Sequence, residues 1–97
     1  MHGSIREYQI DSNVVINIIQ KFQRDIIPAV RAMPEFVAFY AISRGSERMT
    51  TVGIFESPQG AEKANRLVLD TIRNMGALIV TSTEKVDGEV VIRISRQ

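Results

Sequence analysis

Two neighbouring segments decide how this sequence folds: residues 36–42 read FVAFYAI, and residues 49–55 read MTTVGIF. Both are rich in β-branched or aromatic residues, and each is too short for a stable helix, which is typical of β-strands. The stretch Arg44-Gly45-Ser46-Glu47 between them has a turn-forming composition. The two segments therefore predict a β-hairpin in the middle of the chain.

A long amphipathic helix is predicted before the hairpin. Apolar residues recur at three- and four-residue spacing from about residue 13 to residue 33, after the N-cap cluster Asp11-Ser12-Asn13. Pro28 lies inside this segment, and because proline has no backbone N–H, we expect a kink or a break near residues 24–27. Pro34 is expected to end the helix.

A second helix is predicted after the hairpin. Ser57 suits the N-cap, and Pro58 suits the first helical position. The inner stripe of this helix comprises Ala61, Ala64, Val68, Ile72 and Met75. Gly76 suits a left-handed C-terminal cap, so we expect the helix to end there.

Strands are also predicted towards both ends of the chain. Residues 5–10 alternate in hydropathy and indicate a first strand, preceded by a frayed start at residues 1–4. Residues 78–83 read as extended, Asp87-Gly88 as a turn, and residues 89–95 as the last strand. The order is β-α-β-β-α-β with an extra short β segment before the last strand. This is the ferredoxin-like α+β fold, one antiparallel sheet with two helices on one face.

Large apolar side chains are expected on both faces of this sheet. Ile5 opposes Tyr8 and Ile10 in the first strand, and Val52 opposes Phe55 in the third. In the second strand one side is expected to carry Phe36, Ala38, Tyr40 and Ile42, and the other Val37, Phe39 and Ala41. Two helices cover only one face, and apolar surface left in water costs ~25 cal/mol per Å². We therefore expect a homodimer through the open sheet face; the alternative is that the C-terminal segment folds back over that face.

Composition excludes several classes of protein. The 97 residues carry twelve Lys and Arg against eleven Asp and Glu, a net charge of +1, so nucleic acid is not expected as a partner. The absence of Cys removes disulfides, thiolate metal sites and a Cys nucleophile, and it fits a cytoplasmic location. No apolar stretch is long enough to cross a membrane. The length and the lack of a linker or repeat favour a single domain over residues 1–97.

The chain resembles the antibiotic biosynthesis monooxygenase-like dimeric α+β barrels from about residue 5 to residue 94. The resemblance is carried by Pro28, Met33-Pro34-Glu35-Phe36-Val37-Ala38-Phe39-Tyr40, Ile54-Phe55-Glu56-Ser57 with Ala61, and Gly88-Glu89-Val90. The family tends to have glycines where this chain has Glu35 and Ala38, and Trp where it has Phe55.

The resemblance implies a homodimer with one pocket per subunit, between the helices and the sheet. Members include cofactor-independent oxygenases of polyketide-like phenols and haem-degrading enzymes. Haem degraders of this family use His and Asn with Trp, whereas this chain has no Trp and only His2, which we expect to be a solvated terminal residue. There is also no Gly-rich phosphate loop and no spaced carboxylate pair. We therefore expect no cofactor and no metal.

Four residues are candidates for the ligand pocket: Tyr8, Tyr40, Asn65 and Arg6. An oxygenase without a cofactor must deprotonate an electron-rich phenol and hold the anion beside oxygen, which calls for a base or a hydrogen-bond network in a largely apolar pocket. The two tyrosines and the asparagine are expected to point inward, and an arginine beside a phenolate would stabilise it. Packing, backbone hydrogen bonding or solvation is the alternative role of each.

The sequence thus predicts a cofactor-independent monooxygenase-like protein that acts on or binds a small aromatic, phenol- or quinol-like molecule. The alternative is a homodimeric ligand-binding or interaction module without catalytic activity. A cavity large enough for a bicyclic ligand and lined by Tyr8, Tyr40 or Asn65 favours the first hypothesis. A pocket filled by Phe22, Phe39 and Met75 favours the second.

Overall fold

The structure, a computed structural model, describes residues 1–11, 13, 15–45, 47–75, 78–94 and 96. Its strands are β1 (His2–Ile10), β2 (Phe36–Ser43), β3 (Arg48–Phe55) and β4 (Leu78–Glu89). Its helices are α1 (Val15–Lys21), α2 (Ile27–Arg31) and α3 (Pro58–Asn74), with a π-helical turn (Phe22–Ile26) between α1 and α2.

The four strands form one antiparallel sheet in the order β2-β3-β1-β4. With α1 and α2 as one interrupted helix, this is the ferredoxin-like α+β fold that the sequence predicts. β1 begins at His2, which pairs with Phe55 on one side and Glu89 on the other, so the frayed start expected for residues 1–4 is wrong. The topology thereby brings the first residues of the chain next to β4.

The helices cover one face of the sheet, and the core lies between the two layers. In β1, Ser4 and Tyr8 are buried on this side, whereas Ile5 is 38% exposed on the other. The buried apolar residues of the core are Tyr8, Ile10, Ile18, Phe22, Ile26, Val30, Met49, Phe55, Ala61, Ala64, Val68 and Ile72. Burial also alternates along the whole of β3, so the two-faced pattern predicted for these two strands is confirmed.

The break predicted in the first helix is confirmed, and it takes the form of the π-helical turn. The N–H of Ile27 donates to the carbonyl of Phe22, five residues back rather than four. Pro28 offers no N–H to the carbonyl of Arg24, and its ring would crowd that carbonyl in a regular helix. A helical turn that is wider by one residue relieves this crowding, and Phe22 and Ile26 remain buried in the core.

The N-terminus of α3 is the one that the sequence predicts. Ser57 has an extended backbone, and its hydroxyl accepts a hydrogen bond from the N–H of Gly60 at 3.2 Å. Pro58 occupies the first helical position, where its missing N–H is not needed. The helix ends at Asn74, and the predicted cap Gly76 lies outside the described residues.

A bulge in β2 changes which of its side chains face the helices. The pairing with β3 shifts between Phe36 and Ala38, and both Phe36 and Phe39 pack against the core. The ring of Phe36 meets that of Phe55 edge to face, with centroids 6.3 Å apart. The expected strict alternation, with Phe36 on the side of Tyr40, is therefore wrong, because an extra residue resets the period of two.

The turn predicted near the end of the chain is absent from the described residues. Asp87 and Gly88 lie within β4, where they pair with Ser4 and Gly3 of β1. The local turn preference of an Asp-Gly pair is overridden here by the ladder to β1. The strand predicted after the turn does not form over residues 90–94, which have no regular secondary structure.

The face of the sheet away from the helices carries large apolar side chains that no described residue covers, beside the ion pairs of Glu7 with Arg44 and Arg48. The large exposed side chains on it are Ile5, Tyr40, Ile42 and Val86. Residues 91–94 do not fold back over it, since Val91, Ile92 and Ile94 are themselves 82%, 79% and 93% exposed. The alternative in which the C-terminal segment covers this face is thus wrong for these residues.

Candidate functional site

A cavity of about 180 Å³ opens between α3 and the β1–β4 edge of the sheet, on the side that carries the helices. It is lined by Arg6, Tyr8, Glu62, Asn65, Arg66, Leu69 and Lys85. These residues come from β1, α3 and β4, so the cavity exists only because the fold brings the two ends of the chain together. We refer to it below as the edge cavity.

The periodicities of β1 and α3 aim the lining side chains at one another. Arg6 and Tyr8 are two residues apart in a strand and so point to the same face. Asn65 lies at the edge of the buried stripe of α3, and Leu69 follows it by about one turn. Lys85 pairs with Arg6 across the β1–β4 ladder and therefore shares its face.

An ion pair holds Arg6 at the wall of the edge cavity. Its Nη2 lies 2.9 Å from Oδ2 of Asp87, and its side chain is 15% exposed. The Nε2 of His2 lies 3.5 Å from Oδ1 of the same carboxylate, so the expectation that His2 is a solvated terminal residue is wrong. Burial opposes the ionisation of Asp87, but hydrogen bonds from Arg6, Ser4 and His2 outweigh it and lower the pKa of the carboxyl below its ordinary value. Asp87 is therefore an anion at neutral pH.

Tyr8 forms the buried wall of the cavity and is 1% exposed. Burial raises the pKa of its hydroxyl, and the positive charge of Arg6 and a hydrogen bond with Thr51 offset this only in part. Tyr8 is consequently protonated at neutral pH. It can hydrogen-bond to a ligand, but it is not a base.

Asn65 is fixed by a hydrogen bond to another side chain. Its Nδ2 donates to Oγ of Ser4 at 2.8 Å, and Ser4 is 1% exposed. The alternative role considered for Asn65 was a hydrogen bond to backbone or water at the edge of the helix stripe. Its NH2 group instead donates to the side chain of Ser4. The amide bridges the helix layer and the sheet.

Positive charge exceeds negative charge around the cavity. Arg66 pairs with Glu62 one turn earlier on α3 at 3.1 Å, but both side chains are 71% exposed, so this surface pair is weak. Among the described residues that line the cavity, and with Asp87 counted behind Arg6, three cationic side chains stand against two carboxylates. This balance favours an anionic or electron-rich ligand.

A larger cleft of about 370 Å³ lies between the interrupted helix and α3. Its lining residues are Lys21, Asp25, Ile26, Leu67, Thr71, Asn74 and Met75. Its two charged groups, Lys21 and Asp25, pair with each other at 2.6 Å. In the part of the chain that the structure describes, no three His, Cys, Asp or Glu side chains are grouped so as to hold a metal ion. Nor is any helix in that part both long and apolar enough to cross a membrane.

No protein-family model matches the chain, and no curated protein matches it in sequence. Solved structures, in contrast, match it over nearly its whole length. An antibiotic biosynthesis monooxygenase superposes with a TM-score of 0.72 at 10% identity, over 95% of this chain and 100% of that one. The fold is that of the antibiotic biosynthesis monooxygenases.

Two further structures with this fold contain ligands. A monooxygenase of Streptomyces coelicolor in complex with nanaomycin D matches with a TM-score of 0.70 at 11% identity, over 99% of this chain and 92% of that one. A mutant of MhuD with two manganese protoporphyrin IX molecules bound per active site matches with a TM-score of 0.69 at 17% identity, over 99% of this chain and 100% of that one. At such identities the likeness establishes the shared fold.

Within the antibiotic biosynthesis monooxygenase fold, three of the four candidate pocket residues come together. Arg6, Tyr8 and Asn65 all line the edge cavity. Tyr40 does not, since it is 61% exposed on the opposite face of the sheet, where it pairs with Val52. The expectation that Tyr40 points inward is wrong, because the bulge after Phe36 leaves it on the open face.

The sequence did not point to Lys85 and Arg66, which contribute two of the positive charges at the edge cavity. Lys85 carries no local signal, since its place follows from the β1–β4 register alone. Glu62 and Arg66 are four residues apart on α3, a spacing that indicates a surface ion pair but not its nearness to a cavity. Ser4 and Asp87 likewise meet only through the ladder.

Bulky side chains do not fill the edge cavity. Phe22 belongs to the buried core, and Phe39 and Met75 pack against that core. None of these three residues lines the edge cavity. The structure thus meets the part of the sequence criterion that concerns the lining, since Tyr8 and Asn65 line the cavity and these three residues do not.

Proposed function

We propose that the edge cavity binds a small aromatic molecule of the phenol or quinol type, and that the protein acts on it as a cofactor-independent monooxygenase. The observation that carries the proposal is the meeting of Arg6, Tyr8 and Asn65 at one cavity with an excess of positive charge. The ligand complexes of proteins with the same fold support a binding site in this architecture.

The chemistry of the lining suits an aromatic ring with a polar edge. Leu69 and the ring of Tyr8 offer apolar contact, Asn65 offers a hydrogen-bonding amide, and Arg6 and Lys85 offer positive charge. The cavity is smaller than the ~300–1,000 Å³ of common ligand pockets, which favours a ligand of one or two rings.

The proposed contribution of the protein to the reaction is to stabilise an anion. Beside Arg6 and Lys85 the pKa of a bound phenol falls, because both cations favour the phenolate. The electron-rich phenolate reduces O2 while one oxygen atom bonds to the ring as a carbonyl and the other leaves as water. Phenol and O2 thus yield quinone and water, and the protein supplies binding, orientation and charge.

We also propose that the protein is a homodimer through the open sheet face. The exposed Ile5, Tyr40, Ile42 and Val86 lie on that face. Gly3 pairs with Gly88 there, and this pair without side chains lies in a groove of about 250 Å³ that can receive a side chain of a second copy. Burying this apolar surface, at ~25 cal/mol per Å², is the driving force for association.

Oxygen consumption with a panel of phenols and quinols tests the catalytic proposal. At least one compound is expected to give oxygen uptake with one quinone formed per O2. Asn65→Ala and Arg6→Ala are expected to lower kcat/KM at least ~100-fold, since Arg6 stabilises the developing anion and Asn65 orients the ligand by a hydrogen bond. Tyr40→Phe is the matched control, because it removes a hydroxyl on the opposite face of the sheet. Absence of turnover with every compound of the panel would contradict the proposal that the protein is a monooxygenase.

A second candidate function is that of a ligand-binding module without catalysis. It is favoured by the state of Tyr8, which is protonated, buried and hydrogen-bonded to Thr51 and so does not accept a proton from a phenol. Titration calorimetry with the same panel separates the two functions. Saturable binding without oxygen uptake would favour the module.

A further inference from the structure

Two residues outside the cavity hold the amide of Asn65 in one orientation. Its Nδ2 donates to Oγ of Ser4 at 2.8 Å, and Ser4 is almost completely buried. Asp87 lies opposite Ser4 in the β1–β4 ladder, and the hydroxyl of Ser4 is one of the groups that lower the pKa of its carboxyl. Neither Ser4 nor Asp87 lines the edge cavity. Asn65, which donates a hydrogen bond to Ser4, does line the cavity.

The chemistry of these groups allows a single arrangement of the protons. Asp87 is paired with Arg6 at 2.9 Å and is ionised, so its carboxylate only accepts hydrogen bonds. Ser4 has one hydroxyl proton, and the carboxylate opposite it in the ladder is the acceptor that attracts this proton most strongly. The Ser4 oxygen is then an acceptor, so Asn65 has to present its NH2 group to it. The carbonyl Oδ1 of Asn65 is consequently directed away from Ser4.

We propose that Ser4 and Asp87 are positioning residues that make Asn65 Oδ1 a hydrogen-bond acceptor for the ligand, so that the site selects ligands with a protonated hydroxyl over their O-alkylated analogues. This inference rests on the proposed ligand site. It also narrows the ligand class, because a phenolate oxygen has no proton to give to Oδ1.

A dihydroxylated ring satisfies both parts of the cavity. One hydroxyl stays protonated and donates to Asn65, while the other ionises beside Arg6 and Lys85. Quinols and catechols carry both groups, and simple monophenols carry only one. An analogue without the donating hydroxyl leaves a desolvated carbonyl unpaired, the kind of loss by which binding sites reject analogues.

Binding of 2-naphthol and 2-methoxynaphthalene, measured without oxygen by fluorescence titration, tests the selectivity. The two probes share a ring system and differ in whether the oxygen carries a proton. The protein is expected to bind 2-naphthol at least ~10-fold more tightly than the ether. The ratio of the two Kd values is expected to fall close to one in Ser4→Ala, since the amide is then free to turn. The ratio is expected to fall by a smaller factor in Asp87→Ala. Without the carboxylate, the Ser4 hydroxyl can either donate to Asn65 or accept from it, so the orientation of the amide is only partly lost.

A matched control separates this effect from a general loss of packing. Ser43→Ala removes an exposed hydroxyl that donates to the carbonyl of Gly45, and it should leave the ratio unchanged. A ratio near one in the unaltered protein, or a ratio that Ser4→Ala does not change, overturns the inference and leaves the binding site in place. A purely structural role of Ser4 would weaken both probes equally.

NMR of the unliganded protein tests the orientation independently of any ligand. The expected signal is an NOE between the Nδ2 protons of Asn65 and the β protons of Ser4. Its absence overturns the inference whatever the ligands do. If neither probe binds, the proposed function and the selectivity fail together, and the NOE still decides whether Asn65 is oriented as inferred.

Discussion

The two faces of this β-sheet differ in what covers them more than in what they are made of. On the helix side of β3, Thr51 and Phe55 are 1% and 0% exposed, whereas Val52 and Ile54 on the open side are only partly buried. The open side nevertheless carries the large apolar side chains of Ile5, Tyr40, Ile42 and Val86. The sequence of a strand thus sets the chemistry of both faces, and the rest of the fold decides which face is buried.

The same comparison separates two kinds of binding surface. Beside the helices, charged and polar groups surround a concave cavity, which suits a small ligand with a polar edge. On the open side, the groove is lined mainly by aliphatic side chains and by the glycine pair Gly3–Gly88, which suits an apolar side chain on another protein surface. The predictions below probe this contrast, beginning with the largest expected effect.

Phe55→Ala is expected to lower the free energy of unfolding by about 3–5 kcal/mol, because it empties a fully buried ring site in the core. Urea denaturation measures this loss, which should not depend on protein concentration. Ile54→Ala on the opposite face of the same strand is the matched control. The loss of unfolding free energy in Ile54→Ala should be smaller and should grow with protein concentration, since a second copy covers that position in the proposed dimer. Equal costs for both variants would contradict the contrast between the faces.

Ile42→Lys should weaken the association of two copies about 100-fold, or ~2.7 kcal/mol, because it places a charge in the apolar contact. Sedimentation velocity measures the change. Ile16→Lys is the control, since Ile16 is 71% exposed on α1, away from the open face. A monomer of 10.9 kDa for the unaltered chain at micromolar concentration would be evidence against the dimer.

Gly53→Ala is expected to destabilise the fold by ~1–3 kcal/mol through overpacking on the helix side. An added Cβ would lie 2.7 Å from Cε2 of Phe55, a ring that is completely buried and has little room to move. Thermal unfolding measures the loss. A melting temperature equal to that of the unaltered protein would contradict the packing argument.

Acid is expected to have the smallest effect, through Asp87 at the edge of the covered face. The pKa of this carboxyl is lowered in the folded state, so the ionised group contributes stability above the pKa of the unfolded chain, ~3.9. That contribution is lost as the pH falls through the folded-state pKa. The effect is modest because the side chain is 37% exposed.

Asp87→Asn should therefore flatten the dependence of unfolding free energy on pH between about pH 5 and 2. Asp70→Asn makes the same change of charge on the exposed side of α3 and serves as the control. Chemical denaturation over this pH range gives both curves. An unchanged slope in Asp87→Asn would show that the carboxylate does not stabilise the fold.

Local patterns were sufficient for three features of the fold, but not for the ends of β1 and β4, where the frayed start and the Asp87-Gly88 turn were wrong. The hairpin, the Ser57-Pro58 helix start and the interruption before Pro28 all depend on residues within a few positions of one another, so their causes are visible in the sequence. The bulge after Phe36 could not be predicted from the sequence, because no residue type in β2 indicates that the strand contains an extra residue. It depends on how β2 fits β3, where the edge-to-face contact with Phe55 holds Phe36 inward.

In the candidate site, too, the sequence predicts some of the residues, and the tertiary structure decides which of them come together. Residue type and spacing were enough to single out Tyr8, Asn65 and Arg6, since a strand period of two and a helix stripe are local properties. Which of them share a cavity, and that Lys85 and Asp87 join them, was decided by the pairing of β1 with β4. That pairing joins the two ends of the chain. No local pattern encodes its register, because it is selected by the packing of the whole sheet against the helices.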